Sequence, residues 1–146
     1  MPRLPVEVML ATSFDDKFPA QNILANDAKF FLTTGMYPQE ILMAFKDESV
    51  VNLGRIDLSC HGIKKIRVEK CTERFPTNFE PIVECELPDT KTALQQEAFQ
   101  INKNTAGANV RYVKLVLLEG TQQFAMIQHV NMDGDVMGGG RGGDDA

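Results

Sequence analysis

Apolar side chains recur at every second residue along most of this chain, a spacing that fits half-buried β-strands and not amphipathic helices. In Lys65-Ile66-Arg67-Val68-Glu69 the charged residues fall on one face and the aliphatic residues on the other, as in an antiparallel strand with one wet side. The run Arg111-Tyr112-Val113-Lys114-Leu115-Val116-Leu117-Leu118 begins mixed and turns wholly apolar, so its second half is expected to be covered on both faces. Further strands are predicted at 6–11, 41–45, 50–59, 79–87, 98–102 and 124–132. Breakers such as His61-Gly62, Pro76-Thr77-Asn78, Pro88-Asp89, Ala106-Gly107 and Glu119-Gly120 separate them. The one rival helix, 90–99, has Ala93, Leu94 and Glu97 but a thin apolar stripe, and is read as a loop or edge strand. About eight short strands without crossover helices give an all-β chain, an antiparallel β-sandwich or jelly roll. Its core is predicted to include Ile66, Val68, Val113, Leu115, Leu117 and Ile127.

At 146 residues and 43% hydrophobic, the chain supports one compact domain. The sandwich is placed at 1–136 and a flexible Gly/Asp-rich tail at 137–146. A net charge of −5 argues against a dedicated binder of nucleic acid or anionic membranes. No apolar run is long enough to span a bilayer, and Met1-Pro2-Arg3-Leu4-Pro5 lacks a signal peptide's apolar core, so a soluble, intracellular chain is expected.

The residues offer little catalytic chemistry, and no catalytic residue is assigned. Cys60, Cys71 and Cys85 have neither disulfide nor zinc-site spacing. Cys60 and His61 are neighbours, but adjacent strand residues point to opposite faces. Asp15-Asp16 reads as a turn or cap rather than a catalytic pair. In the tail, Arg141 stands alone among glycines near two aspartates, unlike a repeated RNA-binding box. Asp133-Gly134-Asp135 with Asp144 resembles part of a calcium loop, but Met137 takes a ligand position and no closing Glu follows; a disordered tail is the expectation there. No Gly-rich loop ends in Gly-Lys-Ser/Thr, so no P-loop is present.

The segment 11–40 is a long connection whose Phe14, Phe18, Ile23, Leu24, Phe30, Phe31 and Leu32 are too dense for a solvated linker. Residues 19–25 can form one helical turn opened by Pro19. Ala11-Thr12-Ser13, Pro19-x-x-Asn22-Ile23-Leu24, Thr33-Thr34-Gly35-Met36 and Pro38-Gln39-Glu40 together resemble the opening loop of the intraflagellar transport protein twenty-five family, also described as small-heat-shock-protein homologues. Ile66-Arg67-Val68-Glu69-Lys70, Asn78-Phe79-Glu80 and Phe124-Ala125-Met126-Ile127-Gln128-His129-Val130 extend the resemblance over residues 5–136.

The resemblance implies a discoidin-like (galactose-binding-like) jelly roll. It also implies a non-enzymatic subunit of the intraflagellar transport B complex, in cilium or flagellum and cytoplasm. Its implied partners are a Rab-like small GTPase (intraflagellar transport protein twenty-seven) and other subunits of that complex, with neither nucleic acid nor membrane insertion. No cofactor is required on this reading, with calcium as an optional ligand. Related domains hold calcium in the opening loop at places matching Asn22, Ala25 and Phe30. Ala25 and Phe30 offer only backbone carbonyls, and His129 stands near a position where related domains supply glutamate. Asn22 and Asp27 are therefore the candidate metal ligands of a site degraded at Ala25 and Phe30. The alternative function is a calcium-dependent carbohydrate-binding module, which the absence of Trp disfavours; Tyr37 and Tyr112 are the tyrosines available as platforms. An interaction module should expose an apolar patch with a charged border, for which Met36 and Tyr37 are candidates.

Overall fold

The computed structural model describes residues 2–12, 19–24, 29–33 and 37–138. Strands β1 (Val6–Ala11), β3 (Gln39–Phe45), β8 (Tyr112–Gly120), β5 (Ile63–Cys71) and β6 (Glu80–Glu86) form one antiparallel sheet in that spatial order. Strands β2 (Phe31–Leu32), β9 (Met126–Gly138), β4 (Val50–His61) and β7 (Gln95–Gln100) form the other. Among the described residues the helical elements are 3₁₀ turns, Ala20–Leu24 and Lys46–Glu48. The first of these lies where the helical turn was predicted.

Alternation builds the core between the sheets. In β3 every odd position from Gln39 to Phe45 is buried, and β5 presents Ile66 and Val68 inward beside Leu115 of β8. All six predicted core residues are fully shielded, at 0% exposure. Val116 lies on the outer face of β8 and is still 1% exposed. Its cross-strand neighbours are Glu40 and Arg67, whose aliphatic stems can cover it. The second half of β8 is thus covered on both sides, as its apolar run required.

The largest departures from the sequence reading are in β7 and β9. The edge strand β7 begins at Gln95 and ends at Gln100, where 98–102 was predicted. A buried glutamine sets its start: Gln95 Nε2 donates to Ile63 O (2.7 Å) and Pro88 O (2.9 Å), while its Oε1 accepts from Ile63 N–H (3.1 Å). Strand β9 continues past the predicted end at 132 to Gly138. Asp133, Gly134 and Asp135 are therefore strand residues paired with β4, not part of a calcium loop or a disordered tail. A side chain at 134 would place its Cβ 2.1 Å from Asn52 O, so glycine is there because β4 runs too close for anything larger. Asp144 and Arg141 lie outside the described residues.

The chain's start joins the two sheets. Leu4 N–H donates to Met132 O (2.7 Å) and Gly134 N–H to Pro2 O (3.0 Å), which ties the first residues to β9. After Pro5 the chain crosses over and pairs with β3 as β1.

Candidate functional site

Of the predicted loop ligands, Asn22 lies among the described residues and Asp27 outside them. Asn22 sits in the first 3₁₀ turn and its Nδ2 donates to Phe30 O at 2.9 Å. The amide nitrogen is thus turned toward the carbonyl that calcium would need, and both groups are neutral, where calcium favours anionic oxygen. His129 pairs with Ser59 across β4 and β9. No group of three or more His, Cys, Asp or Glu side chains suited to a metal occurs among the described residues. Asp27, Ala25, Asp15 and Asp16 lie outside them.

Cys60 and His61 do point apart. Cys60 is buried, with its thiol 3.6 Å from Gln95 Oε1. Burial, with the nearby Glu97 carboxylate, pushes that thiol up to about 12, so it stays protonated and is a poor nucleophile. His61 Nε2 meets Lys91 O at 2.5 Å on the other side of the strand.

The outer face of the five-stranded sheet carries a distinctive surface. Across β3, β8, β5 and β6 runs a chain of ion pairs. Lys114 Nζ lies 3.8 Å from Glu40 and 4.0 Å from Glu69, Arg67 lies 2.7 Å from Glu69 and 3.5 Å from Glu84, and Lys65 lies 3.6 Å from Glu84. Glu69 and Lys114 are the least exposed members, at 13% and 20%. The ammonium of Lys114 also sits 4.2 Å from the centre of the Phe79 ring.

Beside this ladder the face turns apolar. Leu10 stands opposite Leu42 between β1 and β3, and Ala44 stands opposite both Glu7 and Tyr112. Leu10 is 67% exposed, and Met9, at the irregularity in β1, is 46% exposed. A small cavity of about 120 Å³ brings Met9, Ala44, Tyr112, Arg74 and Arg111 together. The loop after β5 folds onto the same region: Tyr112 Oη donates to Arg74 O (2.7 Å), and the Arg74 guanidinium lies 5.7 Å from the centre of the Phe75 ring, a side chain 65% exposed. An apolar strip with a charged border is what a protein interface presents before it is filled.

The outer face of the four-stranded sheet has a different character. Arg55 pairs with Asp57 at 2.8 Å, and Ser59, Asn131, Asp133 and Gln100 are their neighbours in the ladder. Around Arg55 it is polar, and its exposed apolar residues are Val136 and Met137 at the far end of β9.

Of the predicted patch residues, Tyr37 is half-buried against Gly120, with its hydroxyl enclosed, so it is a packing residue rather than a docking one. Met36 lies outside the described residues. The sequence reading missed Met9, Leu10 and Phe75. Leu10 directly after Met9 breaks the alternation of β1, and that break was the available signal.

No protein-family model matches the chain. Among curated proteins it is 36% identical over 128 residues to intraflagellar transport protein 25 of Chlamydomonas reinhardtii, covering 87% of this chain and 64% of that protein's length. It is 32% identical over 132 residues to the human intraflagellar transport protein 25 homolog, covering 90% of this chain and 88% of the homolog. Among solved structures, XRCC1 bound to the catalytic domain of DNA polymerase β superposes with a TM-score of 0.77 at 13% identity, over 91% of this chain and 99% of that one. A family 32 carbohydrate-binding module of Clostridium perfringens NanJ, in complex with galactose, gives 0.73 at 13% identity, over 89% and 96%. These structural likenesses establish the galactose-binding-like sandwich. No helix among the described residues is long and apolar enough to cross a membrane.

Proposed function

We propose that this chain, which belongs to the intraflagellar transport protein 25 family, is a non-enzymatic subunit of the intraflagellar transport B complex. In cilia or flagella it holds a Rab-like small GTPase, intraflagellar transport protein 27, on the outer face of its five-stranded sheet. The observation that carries this reading is the exposed strip of Met9, Leu10 and Phe75 beside the ion-pair ladder of the five-stranded sheet. A lasting protein complex buries about 1,200–2,000 Å² around an apolar centre, and this face offers such a centre. A structure of the same fold described as bound to the catalytic domain of DNA polymerase β supports the reading by analogy.

No step in this role calls for a cofactor. Asn22 and Phe30 satisfy each other, so calcium affinity should be weak. Tight binding lost on Asp27→Ala, measured by calorimetry, would overturn that part of the proposal.

The main test is co-expression of the full chain with the Rab-like GTPase, followed by size exclusion at micromolar concentration. One-to-one co-migration is expected, lost in Leu10→Asp and kept in Ser59→Asp on the opposite face. Separate elution of two folded proteins removes the GTPase assignment.

A further inference from the structure

The two sheets have four edge strands, and three of them are closed to pairing by familiar means. Strand β6 carries Glu80, Pro81, Glu84 and Glu86, β7 carries Gln96, Glu97 and Gln100, and β2 is two residues long. The edge at β1 is different. A groove of about 650 Å³ runs along it, floored by Leu4, Val6, Val8, Leu24 and Met132. Its volume is within the range of sites that hold small ligands or short peptide segments.

Among the described residues, the backbone of Val6 and Val8 on the groove side has no ladder partner, and the first 3₁₀ turn packs beside it through Gln21 and Leu24. Lys46 N–H donates to Pro5 O and Thr12 N–H to Glu40 O, each at 2.9 Å, which fixes the alternation of the ladder between β1 and β3. Pro5 and Glu7 turn their peptide groups toward β3, and Val6 and Val8 turn theirs away. Strand β1 has β3 as its ladder partner, and no other backbone partner of Val6 or Val8 occurs among the described residues. Two donors and two acceptors at strand spacing therefore face an apolar groove.

Charge selects the occupant. Arg55, Lys64, Lys65, Arg67, Lys70, Lys91, Lys103 and Lys114 all have carboxylate partners. Arg3 and Lys46 form no ion pair among the described residues, although Arg3 stands opposite Asp133 at a bridge to β9, and both line the Pro5 end of the groove. Glu7 lines it too, farther along β1. Two cations without an ion pair among the described residues lie at one end of an apolar groove and suit a segment that is acidic at one end and apolar along its length.

We infer that the free edge of β1 receives an extended peptide segment of a partner protein, which adds to the five-stranded sheet as a sixth strand and sets an acidic residue against Arg3 and Lys46. Main-chain hydrogen bonds to Val6 and Val8 supply the affinity, and the groove reads alternate side chains. The site uses a backbone edge and not the outer sheet face, so it stands or falls separately from the GTPase assignment.

The test uses the full chain and two synthetic heptapeptides, alternating valine and threonine and closed by two aspartates at one end or the other. Each has a counterpart N-methylated at alternate backbone positions. One of the unmethylated peptides is expected to slow hydrogen exchange at the Val6 and Val8 amides by about tenfold or more while leaving Glu7 unchanged; the methylated pair should have no effect. Val8→Pro removes a groove-facing N–H without touching the ladder to β3, so the variant should fold and bind at least about tenfold more weakly. Arg3→Glu with Lys46→Glu should weaken binding and reduce its salt dependence. Equal binding of methylated and unmethylated peptides, or of wild type and a folded Val8→Pro variant, overturns the proposal. So does the absence of slowing at millimolar peptide. A dimer of the free chain, seen by sedimentation and lost in Val8→Pro, would assign the edge to a second copy and overturn it as well.

Discussion

Replacing Leu115 and, separately, Val116 with alanine tests the sheet's register directly, because a one-residue slip of β8 would exchange their faces. Leu115 lies between Ile41 and Val68 with no exposed surface. Truncation removes three carbons, about 2.4 kcal/mol of transfer free energy at about 0.8 kcal/mol each. Its neighbours are strand residues held by ladders on both sides and cannot collapse into the hole, so the total should reach about 3–5 kcal/mol. Val116 is as hidden, at 1% exposure, but its cross-strand neighbours are Glu40 and Arg67, whose flexible stems can cover it. Those stems can settle into the space left by two missing carbons, for a cost of about 1–1.5 kcal/mol. In urea, with a slope of about 2 kcal/mol/M, the midpoint should fall by roughly 2 M for Leu115→Ala and by less than about 0.8 M for Val116→Ala. A Val116→Ala loss equal to or greater than that of Leu115→Ala, at unchanged slope, would refute the assignment of inner and outer faces.

Gly134→Ala should destabilise the chain by about 2–4 kcal/mol, seen as a lower urea midpoint, because the new Cβ would lie 2.1 Å from Asn52 O and must push β4 from β9. The turn joining β3 and β4 holds Asp47 and Glu48 at φ of 60° and 53°, a pair of left-handed conformations that Asn-Gly adopts at less cost. Asp47→Asn with Glu48→Gly should therefore raise stability by about 0.5–1 kcal/mol and Tm by about 2–4 °C in a calorimetric scan. The thiol of Cys60, raised from 9.0 to about 12, remains protonated in the folded chain at a pH where the unfolded chain has lost that proton. The folded state binds more protons in that window, so stability should fall by up to about 1.4 kcal/mol per pH unit from roughly pH 9 toward 12. Cys60→Ala should flatten this decline when urea midpoints at pH 8 and pH 10 are compared, and an unchanged decline would count against the buried-thiol assignment.

The parts of the fold legible in the sequence are those whose energetics are local. Ile66, Val68, Val113, Leu115, Leu117 and Ile127 alternate with polar or outward-facing neighbours, and each is buried. The start of β7 was hidden because its inward residue is Gln95, a polar side chain made acceptable by bonds to Ile63 and Pro88, from distant parts of the chain. The end of β9 was hidden because Asp133, Gly134 and Asp135 have turn composition, and only the proximity of β4 gives the glycine a reason to lie in a strand. The candidate surface was the least legible feature. Leu10, Leu42 and Tyr112 come from three strands, and nothing in the periodicity of each says that they share a face. The opening-loop residues carried the family resemblance, but they did not reveal that the Asn22 amide is turned toward Phe30.

In the proposed interface the ion-pair ladder and the apolar strip divide the work of recognition between them. Burying a lone charge under a partner would cost several kcal/mol, but Glu69 and Lys114 are already largely withdrawn from water and already paired. A partner landing on the strip can extend over the ladder at little further desolvation cost. The same ladder presents fixed charges of both signs in a set order, Glu40, Lys114, Glu69, Arg67, Glu84 and Lys65. A partner whose charges fall out of step meets like charge against like, at a cost of several kcal/mol. Affinity should therefore reside in Leu10, Met9 and Phe75, and selectivity in the ladder. On that division, Leu10→Asp should abolish the proposed complex with the GTPase, whereas Glu84→Lys should leave the fold intact and shift the salt dependence of association.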